Sequence, residues 1–142
     1  VKSAYPVDRL VESAEATVLS EPSPDGAVHG GYRRNKHQHL PCFGWVLEDF
    51  APVKTAWLSY IEPGGYIRKH KDAGPWYERW QVPIRPSGTF TIGGVEVDQI
   101  AGVPFQVTHW EWHHLQVGDS PRVHLVIDRD IIAHDGTGDF QL

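Results

Sequence analysis

Near the start of the chain Val7, Leu10, Val11, Ala14 and Val18 recur at helical spacing, which predicts one amphipathic helix over residues 8–19. Residues 20–31 hold two Pro and three Gly and read as a loop. From residue 56 onward the pattern changes to short β-type runs. Strands are expected at 56–61, 66–70, 80–84, 89–92, 95–97, 103–107, 113–117 and 123–128. Glu62-Pro63-Gly64-Gly65 reads as a turn between the first two, and Gly93-Gly94 as the tip of a hairpin. Residues 31–52 carry no clear period. Short strands at close spacing with no long helix between them predict an all-β sandwich or barrel with a minor N-terminal helix. A parallel α/β sheet is disfavoured.

The 142 residues suffice for one domain, expected to span 1–142. With 13 basic and 18 acidic side chains the formal charge is −5, which argues against nucleic-acid binding. No apolar run is long enough for a bilayer and no leader is visible, so a cytoplasmic protein without membrane attachment is expected. The single cysteine, Cys42, excludes an internal disulfide and a Cys-based zinc site. Its neighbours Pro41, Phe43 and Gly44 supply no base, so a small buried residue is expected there.

Candidate chemistry centres on His70-Lys71-Asp72 and the distant pair His113-His114. A His and an Asp two apart on an extended segment point to one side. With one distal imidazole they would cap one face of a metal and leave the other open. That 2-His-1-carboxylate arrangement suits non-haem Fe(II), which must also bind a co-substrate and O2. Alone, His-x-Asp is more often a solvated surface pair. If 2-oxoglutarate is the co-substrate, its far carboxylate needs a clamp, for which Arg is suited. Arg122, opening the apolar run Val123-His124-Leu125-Val126-Ile127, is the candidate. The plainer reading pairs it with Asp119 or Asp128. His37 and His39 lie beside Arg33, Arg34 and Lys36 and read as solvated. His109 is expected at the rim or surface, and His134 in a polar tail. His124 is expected either in the pocket wall or as a hydrogen-bonded core residue.

Three stretches, Trp57 through Asp72, Arg79-Trp80-Gln81-Val82-Pro83-Ile84, and Pro121 through Asp128, together resemble the aspartyl/asparaginyl β-hydroxylase family. The motif-bearing core is 57–130. Pro63-Gly64 precedes His70, Arg79 lies nine residues after it, and Gly102 lies eleven before His113. The resemblance implies a double-stranded β-helix, the cupin-like jelly roll, with Fe(II) on His70, Asp72 and one distal His. It further implies that Arg122 and Ser59 bind the far carboxylate of 2-oxoglutarate, with Arg79 near its metal-binding end. Gln81 stands where the family often has His; it can donate a hydrogen bond but cannot be charged. The segment from His113 to Arg122 is one residue shorter than the family pattern, which leaves His113 and His114 as alternatives. Strand alternation favours His113, because Leu115 and Val117 then face inward with it.

With the resemblance, these residues imply a dioxygenase, expected from its class to hydroxylate an unactivated C–H bond and release succinate and CO2. The resemblance further implies a substrate that is an amino acid or amino-acid residue, free, peptidyl or carrier-bound. Trp76, Tyr77 and Trp110 are candidates for its pocket, with Arg68 or Lys71 meeting a carboxylate. Two rivals share the fold class: a metal-dependent cupin isomerase or dehydratase, and a non-catalytic jelly-roll binding protein. The first has no need for Arg122 and Ser59 as a carboxylate clamp, and for the second an intact His-x-Asp…His set would be gratuitous.

Overall fold

The computed structural model describes residues 1–36, 40–73 and 76–131. A helix α1 (Val7–Glu15) precedes strand β1 (His29–Arg34). Three short helical turns then occupy Pro41–Phe43, Gly44–Leu47 and Glu48–Phe50. The remaining strands are β2 (Val53–His70), β3 (Tyr77–Arg85), β4 (Thr89–Ile92), β5 (Val95–Glu96), β6 (Phe105–Val107), β7 (His113–Gln116) and β8 (Arg122–Asp130). All pairings are antiparallel, in the order β5-β4-β7-β2-β8-β3-β6, with β1 added to β2. β2 is long enough to join two halves of the sheet. Its first half pairs with β8 and its last residues pair with β7. The sheet curls around this shared strand, and an inner face closes on itself.

Side chains on these strands alternate between two cores. Leu58, Val82, Val123, Leu125 and Ile127 point outward, to a layer formed with Tyr5, Leu10, Phe43, Val46 and Phe50. Ile61, Phe90, Val107, Leu115 and Val117 point inward, to a second cluster inside the curl. β8 is therefore covered on both faces, which explains a continuous apolar run where a half-solvated strand would alternate. The inward positions of β8 fall on Arg122, His124, Val126 and Asp128. Its outward residues anchor the strand, and each fully buried Leu or Ile side chain contributes about 1.5–3 kcal/mol.

Several expectations need correction. The helix stops at Glu15, short of residue 19: the Thr17 hydroxyl bonds back to the Ser13 carbonyl, Val18 is exposed, and Leu19 bridges Asn35 in strand fashion. Glu62-Pro63-Gly64-Gly65 does not reverse the chain. It lies within β2 as a bend, with Gly64 at φ 75 and its N–H donating to the Gly118 carbonyl. Residues 31–52, which showed no period, hold most of β1, which covers β2 and begins inside the expected loop 20–31, and the helical turns that carry Phe43, Val46 and Phe50 into the core. Cys42 is half-buried where a buried residue was expected, because the adjacent Phe43 takes the inward position of that turn. The Gly93-Gly94 hairpin forms as expected, with both residues at positive φ, 57 and 79. His37, His39 and His134 lie outside the described residues.

Candidate active site

β2 changes phase near its end. Trp57, Ser59, Ile61 and Ile67 face inward at odd positions, yet His70 and Asp72 also face the cavity. A register irregularity between Ile67 and His70 accounts for the switch. It turns Lys69 and Lys71 outward, where both ammonium groups lie over the Trp112 ring at 5.5 and 4.9 Å. His113 on β7 is the direct cross-strand partner of His70.

The result is a cluster of three donors. One ligand atom each from His70, Asp72 and His113 lies within 4.8 Å of the others. His70 Nδ1 and His113 Nδ1 each bond a backbone carbonyl, those of Arg68 and Glu111, both at 2.7 Å. A carbonyl only accepts, so both Nδ1 atoms carry their protons. In the neutral rings both Nε2 lone pairs are then bare, and they face the Asp72 carboxylate at 3.5 and 3.3 Å. Three lone-pair donors converging on one point are a fit for a divalent metal, with both imidazoles fixed in the required tautomer. His113, not His114, belongs to this cluster. His113 is buried, whereas His114 on the opposite face is exposed.

Arg79 holds Asp72 in place. Its Nη1 donates to Asp72 Oδ2 at 2.8 Å, while Nε and Nη2 grip the two oxygens of Asp128 at 2.8 and 3.0 Å. Asp128 is the cross-strand neighbour of Arg79 on β8. Burial works to raise the Asp72 pKa, but a hydrogen bond from His113 when that ring is protonated, the Arg79 guanidinium and the charges of the protonated His rings outweigh it and hold the carboxyl down to about 2. Behind this group Tyr77 stacks on His109 at 4.1 Å, and the His109 carbonyl accepts the Asp72 backbone N–H.

A cavity of about 70 Å³ extends from this cluster into the curl, lined also by Tyr32, Ser59, Gln81, Phe90 and Arg122. Arg122 is 1% exposed, with Phe90 beneath its guanidinium at 5.2 Å. Neither Asp119 nor Asp128 pairs with it, contrary to the plainer reading, and among the described residues it has no carboxylate partner. Asp128 is already committed to Arg79. Instead Nε donates to Gln99 Oε1 at 3.0 Å and Nη2 to Gln81 Oε1 at 3.1 Å. Burial pulls the guanidinium down to about 9, so it stays charged at neutral pH. His124, fully buried, donates Nδ1–H to the same Gln81 oxygen at 2.8 Å. Desolvation and then the Arg122 charge push its pKa well below the usual value.

The other expected residues fall elsewhere. Trp76 is exposed, Tyr77 packs behind Arg79, and Trp110 lines a separate open depression of about 450 Å³ that shares only His114 with the cavity. None of the three lines the cavity itself. His109, expected at the rim or surface, is fully buried because Tyr77 covers its ring. Among the contributors the sequence reading missed are Tyr32, Phe90, Gln99 and Asp128. Asp128 had a signal, since it continues the even-numbered face of β8 that carries Arg122. Gln99 had none.

No family model matches the chain, and no curated protein matches it. Solved structures do. A prolyl-4-hydroxylase from Pseudomonas putida superposes with TM-score 0.60 at 16% identity, covering 92% of this chain and 90% of the other. A cupin-2 domain from Rhodospirillum rubrum gives 0.58 at 11% identity, covering 80% and 69%. This chain has the jelly-roll fold of the cupins. A sugar phosphate isomerase of the cupin superfamily from Silicibacter pomeroyi gives 0.54 at 10% identity, covering 81% and 72%. At such identities the likeness concerns the fold alone, so enzymes of different chemistry share this jelly roll and the site must decide among them.

Proposed function

We propose that this protein is an Fe(II)- and 2-oxoglutarate-dependent dioxygenase of the aspartyl/asparaginyl β-hydroxylase type. It would hydroxylate an unactivated C–H bond of an amino acid or amino-acid residue. One observation carries the reading: a buried, charged Arg122 with no carboxylate partner among the described residues lines the same cavity as a 2-His-1-carboxylate cluster. A buried guanidinium without a counter-charge is costly, and a ligand carboxylate would relieve that cost. A cupin isomerase or dehydratase needs the metal ligands but not this second anion site. A non-catalytic binding protein has no use for bare imidazole nitrogens aimed at a carboxylate.

His70, Asp72 and His113 would hold the iron on one face. When bound, the iron supplies the site where 2-oxoglutarate and O2 react to oxidise the C–H bond. The balance is 2-oxoglutarate plus O2 plus R–H, giving succinate, CO2 and R–OH. The protein's own groups do the rest. Arg122 takes the far carboxylate bidentately and Ser59, 3% exposed on the cavity wall, adds a hydroxyl donor. Arg79 keeps Asp72 ionised and oriented. Phe90, Val107 and Val126 exclude water around the co-substrate. The substrate would approach from the open side, past His114 and the depression lined by Trp110 and Trp112.

The test is succinate formation from 2-oxoglutarate by the Fe(II)-loaded protein in air, with and without candidate amino acids and peptides. Substrate-stimulated succinate with a product 16 mass units heavier (one added oxygen atom) is expected. Isomerisation or dehydration of a substrate without 2-oxoglutarate consumption would select the rival.

A further inference from the structure

Arg79 divides its donors unequally between two carboxylates. The edge formed by Nε and Nη2 grips both oxygens of Asp128, at 2.8 and 3.0 Å. Only Nη1 reaches Asp72, and only at Oδ2, 2.8 Å away. Asp72 Oδ1 accepts no hydrogen bond among the described residues and faces the bare Nε2 of His70 at 3.5 Å. Arg79 and Asp72 alone would not settle into this arrangement. A guanidinium and a carboxylate favour two parallel bonds, fork to fork. Left free to turn, Arg79 would take both oxygens of Asp72 and cover the one that points at the imidazole nitrogens. Asp128 prevents that turn. It is buried, sits opposite Arg79 across the β3–β8 pair, and accepts from Thr55 Oγ1 of β2 at 3.4 Å, so it cannot follow the guanidinium. The rings of Trp57 and Tyr77 lie 5.2 and 5.7 Å from the guanidinium carbon and confine it further.

We propose that Asp128 is a positioning residue for the metal: it occupies the Arg79 fork, so that one oxygen of Asp72 stays free to ligate. It also acts through charge. With Asp128 the group presents two carboxylates against one guanidinium, a net negative neighbour for a divalent cation. Without Asp128 the guanidinium would cancel Asp72, the only anion of the metal cluster. Both effects point the same way. Removing Asp128 weakens metal binding, although Asp128 itself touches no metal. The damage is done by Arg79, so removing Arg79 as well undoes part of it, because the cation then draws an unhindered Asp72 to itself. A carboxylate that only braced β3 against β8 would behave otherwise, since loss of its partner could only add to the harm. The inference rests on the reading of His70, Asp72 and His113 as metal ligands, and not on the co-substrate.

The experiment is titration of Mn(II), with the free ion followed by electron paramagnetic resonance, into wild type, Asp128→Asn, and Asp128→Asn combined with Arg79→Met. Thermal unfolding of each variant without metal identifies those that fold. Asn keeps the shape of Asp but sets an NH2 against the Arg79 fork, so it can accept from only one of the two donors. Asp128→Ala, which sets no donor there, takes its place, alone and with Arg79→Met, if the Asn variant does not fold. The single variant is expected to bind Mn(II) about tenfold or more weakly than wild type, the usual loss when a group behind a metal ligand is removed. The double variant is expected to bind Mn(II) more tightly than the single one. Wild-type affinity in the folded single variant, or a double variant that binds no more tightly than the single, overturns the role of Asp128 and leaves the metal site standing. No binding of Mn(II) by wild type overturns the reading of the cluster itself, and this inference with it.

Discussion

At the scale of single residues, protonation is dictated by neighbours that can only accept or only donate. Backbone carbonyls fix the protons of His70 and His113 on Nδ1. This makes the metal site a matter of two Nε2 atoms and one carboxylate. His70→Ala, Asp72→Ala and His113→Ala are each expected to lose bound iron while circular dichroism stays that of a folded chain. His114→Ala should retain iron, because its ring is on the solvent face. Metal content of the four variants checks this; an iron-free His114→Ala protein with loaded His113→Ala would move the ligand by one residue. His124 sets a second expectation. Its folded-state pKa lies below the usual 6.5, through burial and the Arg122 charge. The unfolded chain therefore takes up that proton first. This contribution to stability is present above pH of about 6.5 and declines as pH falls below it, by up to about 1.4 kcal/mol per unit. His124→Asn keeps a donor but does not titrate, so its denaturant midpoint should fall less steeply than wild type between pH 6.5 and about 5. Parallel slopes in the two proteins would refute it.

Secondary-structure elements decide which of these residues meet. Strand alternation was legible: it put His113, Leu115 and Val117 on one face of β7, and the structure has all three buried. It also grouped His70 with Asp72. What the sequence did not reveal is that β2 must change phase between Ile67 and His70 for that pair to face inward together with Ser59. A two-residue period cannot report a shift imposed by pairing with β7. The Pro63-Gly64 pair looked like a turn for a related reason, since local chemistry does not distinguish a chain reversal from a bend in a continuous strand. His109 was misjudged because its polar sequence neighbours say nothing of Tyr77, thirty-two residues away, which covers it. The β3–β4 connection offers a test at this scale. Gly88 has φ 73, and a Cβ there would fall on the Gln116 carbonyl, with the Gly118 nitrogen 2.8 Å away. Gly88→Ala should destabilise the fold by more than the roughly 1–2 kcal/mol of a left-handed conformation alone. It should also loosen β4 from β7. Urea unfolding measures this, and a loss under about 0.5 kcal/mol, the scatter of ordinary surface substitutions, would mean that the strands part easily at that point.

For the molecule as a whole, the curled sheet brings charges of opposite sign into one cavity without letting them cancel. Asp72 and Asp128 are tied to Arg79, which leaves Arg122 buried with, among the described residues, amide oxygens as its hydrogen-bond partners. The sequence made Arg122 and the His-Asp-His set visible as separate features. That they line one cavity depends on pairing of β2 with both β7 and β8, a long-range arrangement that no local pattern encodes. No helix among the described residues is long and apolar enough to cross a membrane. The central claim is that one cavity holds a metal on His70, Asp72 and His113 and a dicarboxylate on Arg122. Its most direct test is an anaerobic titration of 2-oxoglutarate into the Fe(II)-loaded protein, following the metal-to-ligand charge-transfer absorption, in wild type and Arg122→Ala. Wild type is expected to develop the band and saturate. Removing one partner of a buried charge pair costs about 3–5 kcal/mol, so Arg122→Ala should need at least about a hundredfold more 2-oxoglutarate for the same band. A wild-type protein that binds iron but shows no band, or an Arg122→Ala variant with unchanged affinity, would contradict the account.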